Sequence, residues 1–266
     1  WSDCRGKPLF GILELMFRFI NREAIARIPG LIRRAPAGFR YGFLEGVFRE
    51  DRYQELVNTY PPLSLFHYHE DGYKKVFEGP YYDSHDHAGC DHHLRALPAV
   101  WQELLREASS EEFIHLFSSQ AAISFNSLRN FSFKYGKKGC EIRPHLDQAS
   151  RSKDPAASRL VSMWYFSPSA GGGPGGTAIY NADRKSILFE APNLRNSMLF
   201  FEQHPEVWHG YESITDNSER QALALTYNQE PARISIRDSL WHELFCVRRF
   251  RVPRESPPSK IDALIG

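Results

Sequence analysis

The chain has 266 residues, 42% of them hydrophobic, and a formal net charge of +1. A chain of this length can bury one sizeable core, and all-β folds of this size often form a single domain. The near-neutral charge gives no electrostatic basis for general nucleic-acid binding, so we expect no nucleic-acid partner. The four cysteines show no C-x-x-C spacing, which gives no indication of a disulfide framework or zinc knuckle and favours a reducing, cytoplasmic location. Because the chain begins at Trp1 and not at Met, we expect residues upstream of it.

The first predicted element is a helix between Leu9 and Ile32. Its first half is apolar around most of a helical circumference and is interrupted by the i,i+4 pair of Glu14 and Arg18. This segment is too short and too charged to span a bilayer. We expect it to pack on the domain that follows or against a second subunit. Because several arginines follow with few acids, peripheral contact with a membrane surface is an alternative.

Prolines and glycines then interrupt the helical pattern, at Pro29-Gly30 and again from Ala35 to Gly38. They indicate a linker, and we predict a helical extension with its linker over residues 1–38. Further helices are predicted to support the next domain from one side, at residues 49–58, at residues 97–108 and after the capping residues Ser109 and Ser110.

A histidine-rich stretch, residues 84–93, lies between the first two of these supporting helices. Its four histidines and one cysteine offer ligands for a second metal ion such as zinc. Their spacing, however, matches no standard zinc motif. We therefore favour a polar loop over the mouth of an active site.

The second half of the chain reads as short strands separated by Gly, Pro, Asn and Asp turns, which indicates a double-sheet jelly roll of the cupin type. The predicted class is mainly β with flanking helices, in a domain over residues 39–230. A C-terminal helix at residues 237–245 and a tail to residue 266 follow. Besides the segment around His145, the predicted strands are 130–135, 160–166, 177–180, 186–189, 198–201, 208–214 and 222–227.

Two histidines and one aspartate are spaced so that they can converge on a metal ion. His145 and Asp147 are two residues apart, so on a strand both side chains point to the same face. His209 follows much later and must come from a different strand brought alongside. Two imidazoles and one carboxylate leave other coordination positions open, an arrangement suited to non-haem Fe(II). The pattern predicts a reactive metal centre and not a closed structural site.

Arg220 begins the apolar run of residues 221–227, which predicts a buried strand. From the start of that strand its guanidinium can project into a pocket. There it can form two parallel charge-assisted hydrogen bonds with a carboxylate.

With these residues in this order, the chain resembles the Fe(II)/2-oxoglutarate-dependent dioxygenases, and within them the prolyl-4-hydroxylase-like branch. The resemblance covers residues 39–228 and is strongest from Tyr135 onward. It rests on His145, Asp147, His209 and Arg220, on Gly175-Gly176, and on the apolar segments 161–166 and 196–201. It implies a double-stranded β-helix core.

The resemblance also implies the roles of single residues. His145, Asp147 and His209 would bind Fe(II), and Arg220 would pair with the distal carboxylate of 2-oxoglutarate. Tyr135 and Tyr165 would add hydrogen bonds to this cosubstrate. With O2 as the second cosubstrate, the implied reaction hydroxylates a C–H bond and converts 2-oxoglutarate to succinate and CO2.

The substrate is the least determined part of this interpretation. We expect a prolyl or other amino-acid unit, free or in a peptide. One alternative is a tailoring hydroxylase of a biosynthetic intermediate or of a membrane-associated sugar or lipid. Another, of a different class, is a non-catalytic metal-binding jelly roll that binds partners. The candidate substrate contacts are Gln148, Arg159, Tyr180, Asn181 and Asn228.

Overall fold

The computed structural model describes residues 17–84, 87–147, 158–168 and 175–229, without the side chains of residues 87–91 and 158. The predicted C-terminal helix, residues 9–16 of the predicted N-terminal helix and Gln148 lie outside these residues. No helix among the described residues is long and apolar enough to cross a membrane.

The helices of the described residues are α1 (Arg22–Ala26), α2 (Glu50–Asn58), α3 (His87–Ala96), α4 (Ala99–Ala108) and α5 (Glu111–Ala121), with 3-10 turns at Ile28–Leu31 and Leu63–Leu65. The strands are β1 (Arg33–Arg34), β2 (Arg40–Glu45), β3 (His67–Asp71), β4 (Lys74–Asp83), β5 (Ser127–Gly136), β6 (Glu141–His145), β7 (Ser158–Phe166), β8 (Ala178–Tyr180), β9 (Ile187–Glu190), β10 (Arg195–Glu202), β11 (Trp208–Tyr211) and β12 (Arg220–Asn228).

These strands form one curled sheet in which neighbours are antiparallel. The order across the sheet is β1-β2-β10-β7-β12-β5-β4-β6-β11-β8-β9, and β3 pairs with β4 outside this path. The long strands β10, β7, β12 and β5 make one wall, and β6, β11, β8 and β9 make the other. The predicted mainly-β class with flanking helices is confirmed.

Alternating side chains give the long wall two different faces. On the outer face Phe133 and Phe166 pack against Trp101 of α4, with ring centroids 5.1 and 4.8 Å from the indole. Trp164 of β7 points the same way and meets Phe113 of α5 at 5.9 Å. This aromatic layer explains why the supporting helices lie on one side of the sheet, and it leaves the inner face open for a cavity.

The predicted helix from Leu9 to Ile32 is only partly right over its described part, where one short α-helix and one 3-10 turn replace a continuous helix. Ile20 forms an isolated β-bridge with Phe48, and α1 begins only after Asn21, whose side chain accepts hydrogen bonds from two backbone N–H groups of α1. Apolar residues here are buried because they enter the core of the sheet and not because they line one continuous helix. The predicted linker at residues 35–38 is a tight turn between β1 and β2.

The histidine-rich stretch is also not a loop along its whole length. Residues 87–96 form α3, in which His92 is exposed and Leu94 is buried. Small and apolar residues after His87 occur at helical spacing, but the polar histidines among them make this pattern hard to recognise in the sequence. His93 of this helix does line the central cavity described below.

The carboxylate of Glu107, on α4, fixes the N-terminal segment to the helical layer. It accepts hydrogen bonds from the backbone N–H groups of Arg18, Phe19 and Ile20, at 2.7 to 3.1 Å. These N–H groups have no strand or helix partner, so the side chain replaces the missing secondary structure.

We predict that Glu107→Ala lowers the free energy of unfolding by about 1–3 kcal/mol, because it leaves partly buried N–H groups without an acceptor. Urea denaturation measures the change. The matched control is Glu103→Ala, which removes only a half-exposed ion pair with Arg18 and should cost at most about 1 kcal/mol. Equal effects of the two substitutions would contradict the assigned role.

Candidate active site

The pairing of β11 with β6 brings the two predicted histidine ligands together. His209 lies directly opposite His145 in the ladder, and the ring centroids are 4.4 Å apart. Asp147 follows β6, and its Oδ1 lies 3.8 Å from His145 Nε2 and 3.6 Å from His209 Nε2. All three ligand atoms lie within 4.8 Å of one another, and no other such group occurs among the described residues.

Backbone carbonyls hold the outer nitrogen of each imidazole. His145 Nδ1 lies 3.1 Å from the carbonyl oxygen of Arg143, and His209 Nδ1 lies 3.0 Å from that of Val207. If each Nδ1–H donates to its carbonyl, both Nε2 lone pairs face Asp147, which is the tautomer that metal binding needs. Gln203 orients the carboxylate by donating to Asp147 Oδ2 at 2.8 Å.

The pKa shifts of His145 and Asp147 suit a metal ion. Burial and the neighbouring His209 lower the pKa of His145 to about 4. Burial raises the pKa of Asp147, but the attraction of His209 and its hydrogen bond outweigh burial and leave the pKa well below its usual value. Near neutral pH His145 is therefore a neutral imidazole and Asp147 a carboxylate, the forms that bind metal. Burial lowers the pKa of His209, but attraction to Asp147 outweighs burial and raises it, so a metal ion competes with a proton at this ring.

Gly210 explains how His209 comes so close to β6. A Cβ atom at this position would lie 2.2 Å from the carbonyl oxygen of Ile142. Only glycine permits this approach of the two backbones. The Trp208-His209-Gly210 sequence is therefore a structural requirement of the site as well as a source of its ligand.

Arg220 lies at one end of the cavity, with only 2% of its surface exposed. Its Nε donates to the carbonyl oxygen of Gly175 at 2.9 Å, and its Nη2 donates to Thr177 Oγ1 at 3.0 Å. Gly175 has φ +106°, so a glycine is needed to present this carbonyl. The Gly-Gly motif thus positions the guanidinium.

Three buried polar atoms around this guanidinium have no hydrogen-bond partner among the described residues: Arg220 Nη1, Tyr165 Oη and Tyr211 Oη. The guanidinium carbon lies 4.5 Å from the ring centroid of Tyr211 and 5.5 Å from that of Tyr165. Buried polar atoms in folded proteins are nearly always paired. Three adjacent donors left unpaired fit a ligand with several acceptor atoms, such as a carboxylate.

Tyr135 is not part of this group, in contrast to the expectation from sequence. Its side chain is on the outer face of β5, with its ring 6.2 Å from Phe66 and 5.9 Å from Phe77. The structure instead places Tyr211 beside Arg220. The position of Tyr211 could have been predicted from the sequence, because Tyr211 is two residues after His209 and shares its face of β11.

The cavity has a volume of about 660 Å³ and runs from Arg220 past the His145, Asp147 and His209 group. The described candidates for substrate contact do not line it. Asn228 is fully buried at the end of β12 and hydrogen-bonds Ser127. The other described candidates are also not among the residues that line the cavity: Arg159, Tyr180 and Asn181. Their role as substrate contacts stays a prediction.

Sequence reasoning missed a charged cluster in the cavity wall. Glu78 of β4 accepts hydrogen bonds from Lys74, at 2.8 Å, and from Lys134. Lys134 projects inward because it alternates with Phe131, Phe133 and Tyr135 on β5, a period-two pattern that was readable from sequence. Two lysines sharing one carboxylate leave a net positive charge on this wall.

No protein-family model matches the chain, and no curated protein matches it in sequence. Similar folds occur among solved structures. A prolyl-4-hydroxylase from Pseudomonas putida has a TM-score of 0.50 and 13% identity, covering 79% of this chain and 98% of that one. A Trichoplax adhaerens prolyl hydroxylase, solved with a hypoxia-inducible-factor peptide, has a TM-score of 0.50 and 10% identity, covering 84% and 94%.

The non-haem α-ketoglutarate-dependent epimerase SnoN of nogalamycin biosynthesis has a TM-score of 0.52 and 13% identity, covering 90% of this chain and 96% of that one. At these identities the likeness shows the fold alone. The chain has the jelly-roll fold of the 2-oxoglutarate/iron(II) oxygenases, as the sequence resemblance implied. Neighbours of this fold catalyse different reactions, so the fold does not decide the outcome of the reaction.

We predict a pH-dependent contribution of Glu78 to stability. Burial raises the pKa of Glu78, but attraction to Lys134 and hydrogen bonds from both lysines lower it to about 2. In the unfolded chain this carboxyl has a pKa near 4.5. Because folding lowers the pKa, Glu78 stabilises the folded state at pH values above 4.5, and this stabilisation is lost as the pH falls toward 2. Glu78→Gln should therefore cost roughly 1–3 kcal/mol at pH 7 and progressively less below pH ~4.5.

Urea denaturation of the metal-free protein between pH 7 and pH 3 measures this difference. Glu70→Gln, on the exposed strand β3, is the control and should show no such pH dependence. If the free energies of unfolding of wild type and Glu78→Gln differ by the same amount at every pH in this range, the assigned charge state of Glu78 is wrong.

Proposed function

We propose that this chain, which has the fold of the 2-oxoglutarate/iron(II) oxygenases, is such an oxygenase and oxidises a C–H bond of its substrate. The main support for this proposal is that two complementary groups of side chains line one cavity. One is the His145, Asp147 and His209 ligand set. The other is Arg220 with Tyr211, which line the same cavity and have buried donors without a partner among the described residues.

Each group fits one component of the implied chemistry. The two imidazoles and the carboxylate are the ligand set that suits Fe(II) and leaves positions open for other ligands. Arg220 with Tyr165 and Tyr211 suits the distal carboxylate of 2-oxoglutarate, because all three offer donors to one buried place. When bound, Fe(II), 2-oxoglutarate and O2 supply the oxidising chemistry, in which 2-oxoglutarate becomes succinate and CO2.

The chain itself contributes orientation. Gln203 holds Asp147, and the carbonyls of Arg143 and Val207 fix the imidazoles, so the ligand set is preorganised. The anchoring of Arg220 by Gly175 and Thr177 has the same effect at the other end. Preorganised donors need little rearrangement when the cosubstrate binds, which favours binding.

For the substrate we propose a prolyl or other amino-acid unit, free or in a peptide, and hydroxylation as the reaction. Two of the fold neighbours are prolyl hydroxylases, which supports this choice without deciding it. The tailoring alternative has its own support in the fold, because SnoN comes from nogalamycin biosynthesis. A non-catalytic binding domain would have no use for unpaired buried donors beside a complete ligand set.

We predict that the protein reconstituted with Fe(II) forms succinate from 2-oxoglutarate and O2, slowly even without the substrate. His145→Ala should abolish succinate formation, because the metal loses a ligand. Arg220→Gln should raise the KM for 2-oxoglutarate by at least about tenfold, because it removes a buried charged contact. Mass spectrometry of succinate and calorimetric binding of 2-oxoglutarate measure these effects.

The matched control is Arg34→Gln, which removes an exposed arginine on β1 far along the sheet from the cavity. It should leave both the rate and the KM unchanged. Undiminished succinate formation by His145→Ala, with the fold intact by circular dichroism, would refute the proposed function.

A further inference from the structure

The inner face of the long wall is organised in rungs, each made of residues that lie opposite one another on β5, β12 and β7. Arg220 lies opposite Gly136 at one end. The rungs that follow are Lys134, Ala222 and Tyr165; then Ser132, Ala224 and Met163; then Asn130, Thr226 and Val161. Successive rungs are about 7 Å apart, because side chains on one face of a strand recur every second residue.

Arg220 and the Asn130 rung therefore lie at opposite ends of the cavity, about 20 Å apart along the strands. The five-carbon cosubstrate proposed for the Arg220 end covers only the first part of this length. The rungs of Met163 and of Asn130 remain for another molecule, and both line the same cavity as His145 and His209.

Arg129 lies at the far end of this cavity. The pairing of β5 with β12 shifts register beside it, since Thr226 lies opposite Asn130 but Tyr227 lies opposite Leu128. This irregularity lets Arg129 line the cavity next to Asn130. Its Nε is buried and has no hydrogen-bond partner, and its side chain forms no ion pair with any described residue.

The surroundings of Arg129 suit an acidic group. Asn130 and Thr226 line the same end of the cavity and add a side-chain amide and a hydroxyl. Asp83 lies opposite Asn130 in the ladder and also lines the cavity, and its carboxylate accepts a hydrogen bond from Tyr81 at 3.1 Å. The Nε–H of Arg129 has no partner among the described residues and is the group available to a ligand.

Between Arg129 and the metal ligands, the part of the wall formed by β7 and β12 is apolar. Val161, Met163 and Ala224 line this part of the cavity. Contact with such a surface favours an apolar molecule. A guanidinium at one end and an apolar strip beside it together describe an amphipathic binding site.

We infer that the substrate carries an acidic group bound by Arg129 and an apolar body that lies along Val161 and Met163. This inference rests on the proposed function and specifies its substrate class. The side chain of Arg129 is half-buried, but its buried Nε–H is costly to leave unpaired, and a carboxylate or phosphate satisfies it through two parallel hydrogen bonds that also use an Nη–H. Bound in this way, the far end of the apolar body lies toward His145, Asp147 and His209.

The test is calorimetric binding to protein loaded with Zn(II) and 2-oxoglutarate, so that Arg220 is already occupied. The probes are phenylpropanoate and phenylpentanoate, their neutral amides, and phenylpropyl phosphate. At least one acid should bind about tenfold or more tightly than its amide. The tighter of the carboxylate and the phosphate identifies which acid the site takes.

Arg129→Gln should remove the preference for the acid, and Arg129→Lys should retain part of it. Arg49→Gln, an exposed arginine preceding α2, is the control and should bind like wild type. Equal binding of acid and amide, undiminished acid binding by Arg129→Gln, or no binding of any probe would overturn the inference.

The affinity for 2-oxoglutarate separates this inference from the proposed function. It should be the same in Arg129→Gln and in wild type, because the two arginines lie at opposite ends of the cavity. If wild type binds no 2-oxoglutarate, the proposed function fails. If it binds 2-oxoglutarate but shows no preference for an acidic probe, only the substrate inference fails.

Discussion

The antiparallel pairing of β11 with β6 is the contact on which the site depends. It sets His209 opposite His145 and leaves Asp147, at the end of β6, beside both rings. The close approach requires Gly210, because a side chain there would collide with the carbonyl of Ile142. A shift of one residue in this register would turn one histidine to the other face and disperse the ligand set.

The long wall of the sheet provides the second constraint. Its outer face is held by the aromatic layer around Trp101, so its inner face is fixed relative to the metal ligands. Arg220 is anchored at one end of this inner face, and Arg129 lies at the other. The sheet thus presents two arginines to one cavity, and only Arg220 is accounted for by the proposed cosubstrate.

Much of the site was predictable from sequence, because metal-binding and charged side chains occur at spacings that bring them together in a β-sheet. His145 ends β6 and Asp147, two residues later, lies on the same side of the chain, and Arg220 begins a buried strand, as expected. Tyr135 was predicted to contact 2-oxoglutarate because of its distance from His145 along the chain. The alternation of Phe131, Phe133 and Tyr135 is the stronger physical signal, and it turns Tyr135 outward and Lys134 inward.

The remaining features depend on tertiary contacts that a local pattern does not reveal. β3 is exposed along its whole length, and β4 contains a proline and several charges, so neither shows the alternation of a typical strand. Both form because β4 pairs with β5 and with β6. Arg129 enters the cavity through a register shift between β5 and β12, which a single sequence does not show.

The most direct test of this account is an anaerobic titration of the metal-free protein with Fe(II) and 2-oxoglutarate, followed by visible absorption. A keto acid chelated to Fe(II) produces a weak metal-to-ligand charge-transfer band. The account predicts that this band appears with one iron per chain, disappears in His209→Ala, and needs more 2-oxoglutarate in Arg220→Gln. Absence of the band in correctly folded wild-type protein would contradict it.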